Sequence, residues 1–252
     1  MKILALFFLG IVQGLSEFLP VSSSGHLVLF SKLFGLEESL FVSILLHMAT
    51  LLSILVFFRK DVWKIVCHPF SKESMLIVCA TIPTCIIALM LLPLLKDAFN
   101  GPFLSVCFLV SGMLLLRAEN LSRRQQTGEI DAKTAIFMGC IQGFAVFPGI
   151  SRSGSTLAAG IVKGKDKTET AKFSFLMSIP IIIASMIMEI FEFASGKIEI
   201  CYPWWSFLCA FLIAFLVGIF SIKFVIKIVK KAKLKWFSVY LFAIAIVCLF
   251  VV

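Results

Sequence analysis

One polar phrase occurs twice in this otherwise apolar chain. Residues 9–26 read LGIVQGLSEFLPVSSSGH, and residues 138–155 read MGCIQGFAVFPGISRSGS. At a fixed offset of 129 the copies share Gly10/Gly139, Gln13/Gln142, Gly14/Gly143, Phe18/Phe147, Ser22/Ser151, Ser24/Ser153 and Gly25/Gly154. A chain that repeats itself in this way is constrained to fold as two related halves. Where the copies differ, they differ in chemistry: Glu17 faces Val146, Ser23 faces Arg152, and His26 faces Ser155. The halves share a scaffold and divide the functional groups between them.

Hydrophobic residues make up 60% of the chain and charged residues only 15%, against roughly 45–50% and 25% in soluble domains. That balance defines an all-α polytopic membrane protein. The apolar run from Ile3 leads straight into the Glu17 motif without a small-residue cleavage site, so it is expected to be retained rather than removed as a signal peptide. The eight cysteines are scattered and form no CxxC or His/Cys cluster, so neither a disulfide framework nor a zinc site is expected. The formal charge of +9 does not point to nucleic acid, because the basic residues gather in loops between apolar stretches.

Six stretches, at about 40–58, 75–95, 103–118, 173–191, 205–222 and 236–252, are long and apolar enough to cross. At 1.5 Å per residue they cover roughly 25–32 Å, close to a bilayer core. The repeat segments 3–31 and 134–162 each have an apolar arm, a Gly/Ser/Pro turn and a second apolar arm. Non-helical backbone at membrane depth persists only where protein buries it or it lines a wet cavity. Both are therefore read as re-entrant helix–loop–helix elements, although two ordinary spanning helices would serve as an alternative. With 59–74, 117–133, 163–172 and 223–235 on the cytoplasmic side, eighteen Lys and Arg lie inside, against three in 32–39, 96–102 and 192–204. This gives a single membrane domain over 1–252. Its inverted-topology halves, 1–118 and 134–252, are joined by cytoplasmic loop 119–133. Inverted repeats with broken helices commonly build a site where they meet.

Ionisable groups at membrane depth are functional candidates by default, and here they are Glu17, His26, His47 and Arg152. A Glu17–Arg152 pair could be structural, but its surroundings point further. Ser151, Arg152, Ser153, Gly154, Ser155 and Thr156 offer hydroxyls, backbone N–H groups and a guanidinium before an expected helix start, a set suited to phosphate. The first copy offers Gln13, Glu17, Ser22, Ser23, Ser24 and His26. Gln13 and Glu17, spaced i, i+4, share a helix face and could hold a hard divalent cation together with phosphate oxygens. His26 could act as general base or acid, and Ser23 near it fits a phosphoseryl intermediate. His47 is expected in hydrogen bonding or packing rather than catalysis. The lysines from Lys223 to Lys235 are expected against anionic inner-leaflet lipid.

QGLSEFLPVSSSGH and PGISRSGST resemble the two signature motifs of bacterial undecaprenyl-diphosphate phosphatases, the bacitracin-resistance family. The resemblance covers nearly the whole chain. It implies hydrolysis of the terminal phosphate of undecaprenyl diphosphate, regenerating the carrier lipid for peptidoglycan and cell-wall synthesis and conferring bacitracin resistance. It also implies a divalent cation (Mg²⁺ or Ca²⁺) and a bacterial inner-membrane location with the site facing the periplasm. Carried over by position, Glu17 serves metal binding or activation, Ser23 is the candidate nucleophile, Arg152 clamps phosphate and His26 stands at the family's His position. Gln13 stands where many members have Glu, which weakens a two-carboxylate metal site.

Ser-Gly-His at 24–26 and Ser-Arg at 151–152 mimic fragments of the phosphatidic-acid phosphatase superfamily. That chemistry needs a His and an Asp beyond the Ser-Arg, and SGSTLAAGIV supplies neither. The rival from another class is a prenyl-phosphate flippase, which would need Arg152 but no nucleophile. The expected partners are undecaprenyl diphosphate and the bilayer, with no nucleic acid. The oligomeric state is left open, a homodimer being one option.

Overall fold

The computed structural model describes residues 2–35, 40–97, 101–122, 128–195, 203–231 and 233–251. Arg123, Arg124, Lys197 and Cys201 lie outside these residues, as does much of the loops expected at 32–39, 96–102 and 192–204. The described residues form α1 (Lys2–Ser16), α2 (Ser23–Leu33), α3 (Leu40–Phe57), α4 (Arg59–Cys67) and α5 (Lys72–Leu91), which a 3-10 turn extends over Leu92–Asp97. There follow α6 (Gly101–Ser122), α7 (Ala132–Phe144), α8 (Arg152–Val162), α9 (Lys167–Ser195), α10 (Trp204–Lys230) and α11 (Lys235–Val251). The all-α class read from composition is the observed one.

The two repeat segments fold alike. Adding 129 to the bounds of α2 gives those of α8 residue for residue, and α1 falls on α7 within two residues at each end. Each first arm stops at its polar turn, where Phe18-Leu19-Pro20 and Phe147-Pro148-Gly149 deny the helix its next N–H or φ. Each second arm restarts on a serine cap: Ser22 Oγ accepts from the Gly25 N–H, and Ser151 Oγ from the Gly154 N–H. The arms, of 15, 11, 13 and 11 residues, are roughly 16–22 Å long, and none alone matches a bilayer core of ~30 Å.

Among the described residues, four helices are long and apolar enough to cross: α5 with its extension, α6, α9 and α10. The pair α3–α4, bent by 84°, makes a fifth if counted as one span, and α11 is one of the shorter apolar helices. The sequence expectation was six. It also treated 59–74 as loop, whereas 59–67 is helix α4. That stretch carries Arg59, Lys60, Asp61 and Lys64 and buries no residue, so charge concealed its helical period. In the same way α10 runs on through Lys223 and Lys227 to Lys230.

The halves are interlocked rather than side by side. α1 packs on α10 and α7 on α5, α2 on α11 and α8 on α6, and α6 lies against α11. Small residues permit the close crossings. A Cβ on Gly10 would lie 2.8 Å from the Ala210 carbonyl oxygen, and one on Gly139 would run into the Ala80 carbonyl. Large apolar side chains such as Ile82, Leu89, Phe220 and Phe250 point outward from α5, α10 and α11, the surface expected of a protein dissolved in lipid tails.

The segments assigned to one membrane face are tied to each other by ion pairs. Lys172 reaches Asp61 at 2.7 Å and Glu73 at 3.4 Å, Lys72 reaches Glu129 at 3.0 Å, and Lys165 reaches Asp131 at 2.7 Å. The Asp166 N–H also donates to the Gly128 carbonyl at 3.1 Å, closing the open end of the second hairpin. The Lys165 ammonium and the Thr134 N–H hold the Asp131 carboxyl well below the usual carboxylate range.

Candidate active site

Glu17 is the residue on which the two hairpins converge. It follows the last residue of α1, its N–H still bonded to the Gln13 carbonyl at 3.0 Å. Gln13, one turn earlier, donates from Nε2 to Glu17 Oε2 at 3.1 Å, the i, i+4 relation expected from sequence. Ser23 Oγ donates to the same oxygen at 2.6 Å. Arg152 Nη2 donates to the other oxygen, Oε1. Ser23 and Arg152 are the first residues of α2 and α8, so the repeat places two different donors at equivalent positions and aims both at one carboxylate.

The energetics favour a functional reading of this arrangement. The Glu17 side chain is 3% exposed and that of Arg152 18%. Removing two charges from water costs several kcal/mol each, and pairing recovers that only with good geometry and further hydrogen bonds. A well-packed apolar pair would serve stability as well, so the cluster answers to something other than stability. The N-termini of α2 and α8 open on the same place, and their first N–H groups add positive partial charge. Helix N-termini of this kind are common places for an anion to bind.

A cavity of about 200 Å³ lies against the cluster, lined on one side by Glu17, Ser22, Ser23, Ser24, Ile150, Ser151, Arg152 and Ser153. The rest of its polar lining comes from Ser16 and Gln142, inside the repeated phrases, and from Thr84, Ser185, His47 and Glu189, outside them. Ser43 Oγ donates to Glu189 Oε1 at 3.3 Å and lies 3.3 Å from His47 Nδ1, while His47 Nδ1 and Glu189 Oε1 are 3.6 Å apart. Gln142, the counterpart of Gln13, donates instead to Thr84 Oγ1 at 3.3 Å. Glu189 was not among the candidates drawn from the sequence; its place at the cavity depends on how α9 packs on α3.

Not every motif residue reaches this cavity. His26 is 3% exposed and faces the other way. Its Nδ1 lies 2.7 Å from the Ser22 carbonyl oxygen and its Nε2 2.6 Å from the Tyr240 hydroxyl, on whose ring it stacks. A carbonyl only accepts, so Nδ1 carries the proton, and in the neutral ring Nε2 accepts from Tyr240. Ser22 has φ 71° and ψ 100°, outside the regions L-residues favour. His26 thus holds the carbonyl of a strained residue adjacent to Ser23. Tyr240, on α11, carried no sequence signal. Thr156 Oγ1 lies 2.6 Å from Ser174 Oγ, Gly154 packs beneath Pro20, and Ser155 Oγ is buried without a hydrogen bond. Ser153 Oγ donates to the Leu19 carbonyl at 3.0 Å, fastening the two turns together.

The donor set at Glu17 bears on a metal. Among the described residues no three His, Cys, Asp or Glu side chains are grouped to bind an ion. Gln13 Oε1, however, is buried with no hydrogen-bond partner, on the amide whose Nε2 faces the Glu17 carboxylate, and turning that amide over would set its oxygen beside Glu17. One carboxylate and one idle amide oxygen suit a cation that takes its remaining ligands from phosphate and water, as Mg²⁺ commonly does.

The fold and site define an integral membrane protein with paired helix hairpins and a buried Glu–Ser–Arg cluster beside a polar cavity. Residues 6–247 match the model of the family described as bacitracin resistance protein BacA. The chain belongs to that family. It is 38% identical to the undecaprenyl-diphosphatase of Carboxydothermus hydrogenoformans, over 96% of this chain and 94% of that one. It is 38% identical to the undecaprenyl-diphosphatase of Halothermothrix orenii (98% and 96% covered) and 36% identical to undecaprenyl-diphosphatase 3 of Bacillus cereus (99% and 97%).

Proposed function

We propose that the protein is an undecaprenyl-diphosphatase, a membrane hydrolase that removes the terminal phosphate of a C55 prenyl diphosphate. The observation that carries this is the two-sided grip on Glu17 by Ser23 and Arg152 at the mouths of two helix N-termini. The relatives of like length bear the same hydrolase name, and nothing in the site favours the flippase alternative. A cavity of about 200 Å³ is smaller than the ~300–1,000 Å³ that encloses a drug-sized ligand. It suits a diphosphate headgroup whose prenyl tail stays among the lipids.

In this reading the diphosphate enters beside Arg152, whose guanidinium and the N–H groups opening α2 and α8 neutralise the transferring phosphoryl group. Glu17 Oε2 already accepts the Ser23 hydroxyl proton in the resting hydrogen bond, so Glu17 acts as base and Ser23 Oγ attacks in line. A divalent cation, Mg²⁺ or Ca²⁺, would be held by Glu17 and Gln13 and supply further charge neutralisation. Ser22, Ser24, Ser151 and Ser153 line the phosphate. His26 acts by holding the Ser22–Ser23 turn, while Gly154, Ser155 and Thr156 shape the start of α8. The site faces the outer side of the bacterial inner membrane, opposite the ion-paired ends, and the lysines at the end of α10 meet anionic lipid.

The test is phosphate release from farnesyl and undecaprenyl diphosphate by the purified protein in detergent, with Mg²⁺, Ca²⁺ or EDTA. Wild type is expected to release phosphate only with metal, and Glu17→Ala, Ser23→Ala and Arg152→Ala to lose it. A well-folded wild type that releases none would overturn the hydrolase reading. Full activity of Ser23→Ala would transfer the attack to water.

A further inference from the structure

We propose that His47, which lines the cavity from outside the two motifs, is the proton donor to the oxygen bridging the two phosphates. This rests on the hydrolase reading above. The argument starts from what the site lacks. Glu17 receives the nucleophile's proton, and Arg152 has none to give at any workable pH. The leaving prenyl phosphate departs more readily if its bridging oxygen is protonated as the P–O bond breaks. The motif histidine cannot supply that proton, since both its ring nitrogens are engaged, by Ser22 and Tyr240, away from the cavity.

Among the described residues, His47 is the histidine that lines the cavity. Its surroundings on α3 and α9 fit the task. Ser43 Oγ donates to Glu189 Oε1, so it can accept from His47 Nδ1–H, both at 3.3 Å. That chain fixes the proton on Nδ1 and leaves Nε2 as the nitrogen for a ligand. Glu189 Oε2 is buried with no hydrogen bond, and the carboxylate, held through its other oxygen by Ser43, gives the imidazolium a counter-charge. The charged groups sharing the cavity with His47 are Glu17, Arg152 and Glu189.

The step balances as follows. Ser23 Oγ bonds to the terminal phosphorus and passes its proton to Glu17. The bond from that phosphorus to the bridging oxygen breaks, and the oxygen keeps the electron pair and takes the His47 proton. Prenyl phosphate leaves. Water then attacks the phosphoserine and gives a proton to neutral His47, while the departing Ser23 oxygen recovers its own from Glu17. The net change is one water consumed and one phosphate released. Glu189 is a positioning residue that acts through His47.

The experiment measures kcat and KM for farnesyl diphosphate with wild type, His47→Gln, His47→Ala and Glu189→Gln, each checked as monodisperse in detergent. His47→Gln is expected to lose about 10²–10³-fold in kcat, with KM within about threefold, and added imidazole to restore part of the rate in His47→Ala. Imidazole should do nothing for wild type or Arg152→Ala. Glu189→Gln should show a smaller loss, confined to kcat; it also carries the test should the His47 variants fail to fold. A kcat within about twofold of wild type, a change in KM alone, or a loss that imidazole leaves untouched would overturn the assignment. An inactive wild type would instead sink the underlying hydrolase reading.

Discussion

The two hairpins have the same backbone plan and opposite chemical duties. In α1–α2 the turn is held at Ser22, with φ 71°, and delivers a carboxylate and a hydroxyl; in α7–α8 the left-handed residue is Gly149, with φ 89°, and the hairpin delivers a guanidinium. The shared parts are those a helix restart needs: a serine cap, and a second serine hydroxyl 3.4 Å from it in both copies. The parts that differ include the Ser23/Arg152 pair that meets at Glu17, while the shared serines line the same cavity. Duplication thus supplied two helix N-termini facing one point, where a single hairpin would supply only one. Once caps and crossings are satisfied, the positions between them are free to diverge.

The largest effects should come from breaking the convergence itself. Arg152→Ala leaves Glu17 buried and unpaired. We expect about 3–5 kcal/mol of lost stability, read as a fall in thermal unfolding temperature in detergent. Glu17→Gln, which keeps the shape and removes the charge, should leave Arg152 unpaired but less deeply buried and cost less. If the two variants were equally stable and both active, the pair would be incidental. Next come the crossings. Gly10→Ala and Gly139→Ala each thrust a methyl at a backbone carbonyl of the opposite half, and overpacking of this kind costs about 1–3 kcal/mol. The Gly139 variant should be the worse, since its carbonyl is the nearer; the reverse order would show that the hairpins do not pack equivalently.

The caps sharpen the comparison. Ser151→Ala should cost about 0.5–2 kcal/mol. Ser22→Gly should cost little or nothing, because glycine adopts a positive φ without strain. Equal losses at both positions would mean that Ser22 is not strained. The smallest effect is expected at the ion-paired face. The Asp131 carboxyl is held below its ordinary range by Lys165, so its contribution is present above an ordinary Asp pKa of ~3.9 and is lost as pH falls through the folded value. Asp131→Asn should therefore be slightly less stable at neutral pH and match wild type in acid. A gap that widened in acid would contradict the pairing.

Much of this was legible beforehand. The offset of 129 marked both hairpins, and the Ser151–Thr156 stretch marked a helix start there; the serine caps at Ser22 and Ser151 came from the structure. Gln13 and Glu17 share a hydrogen bond as their spacing implied. Helix lengths near charge were misjudged: α4 and the ends of α6, α9 and α10 were read as loop because lysines and arginines mark the membrane boundary, and a helix does not stop where the lipid does. The meeting of His47 with Glu189 was hidden for another reason. They stand on α3 and α9, far apart in the chain, and spacing along one helix says nothing of what the neighbouring helix brings.

The sequence by itself determined the class, the duplicated hairpins and the residue types at the turns, since composition and periodicity are local properties written in consecutive residues. Only the tertiary structure decided that Ser23 and Arg152 grip opposite oxygens of Glu17, that His26 turns toward Tyr240, and that His47 meets Glu189. Those pairings join residues up to 214 positions apart. They are set by the crossing of the two halves, where the close approach of glycine-bearing helices to carbonyls of the opposite half fixes which side chains share a cavity.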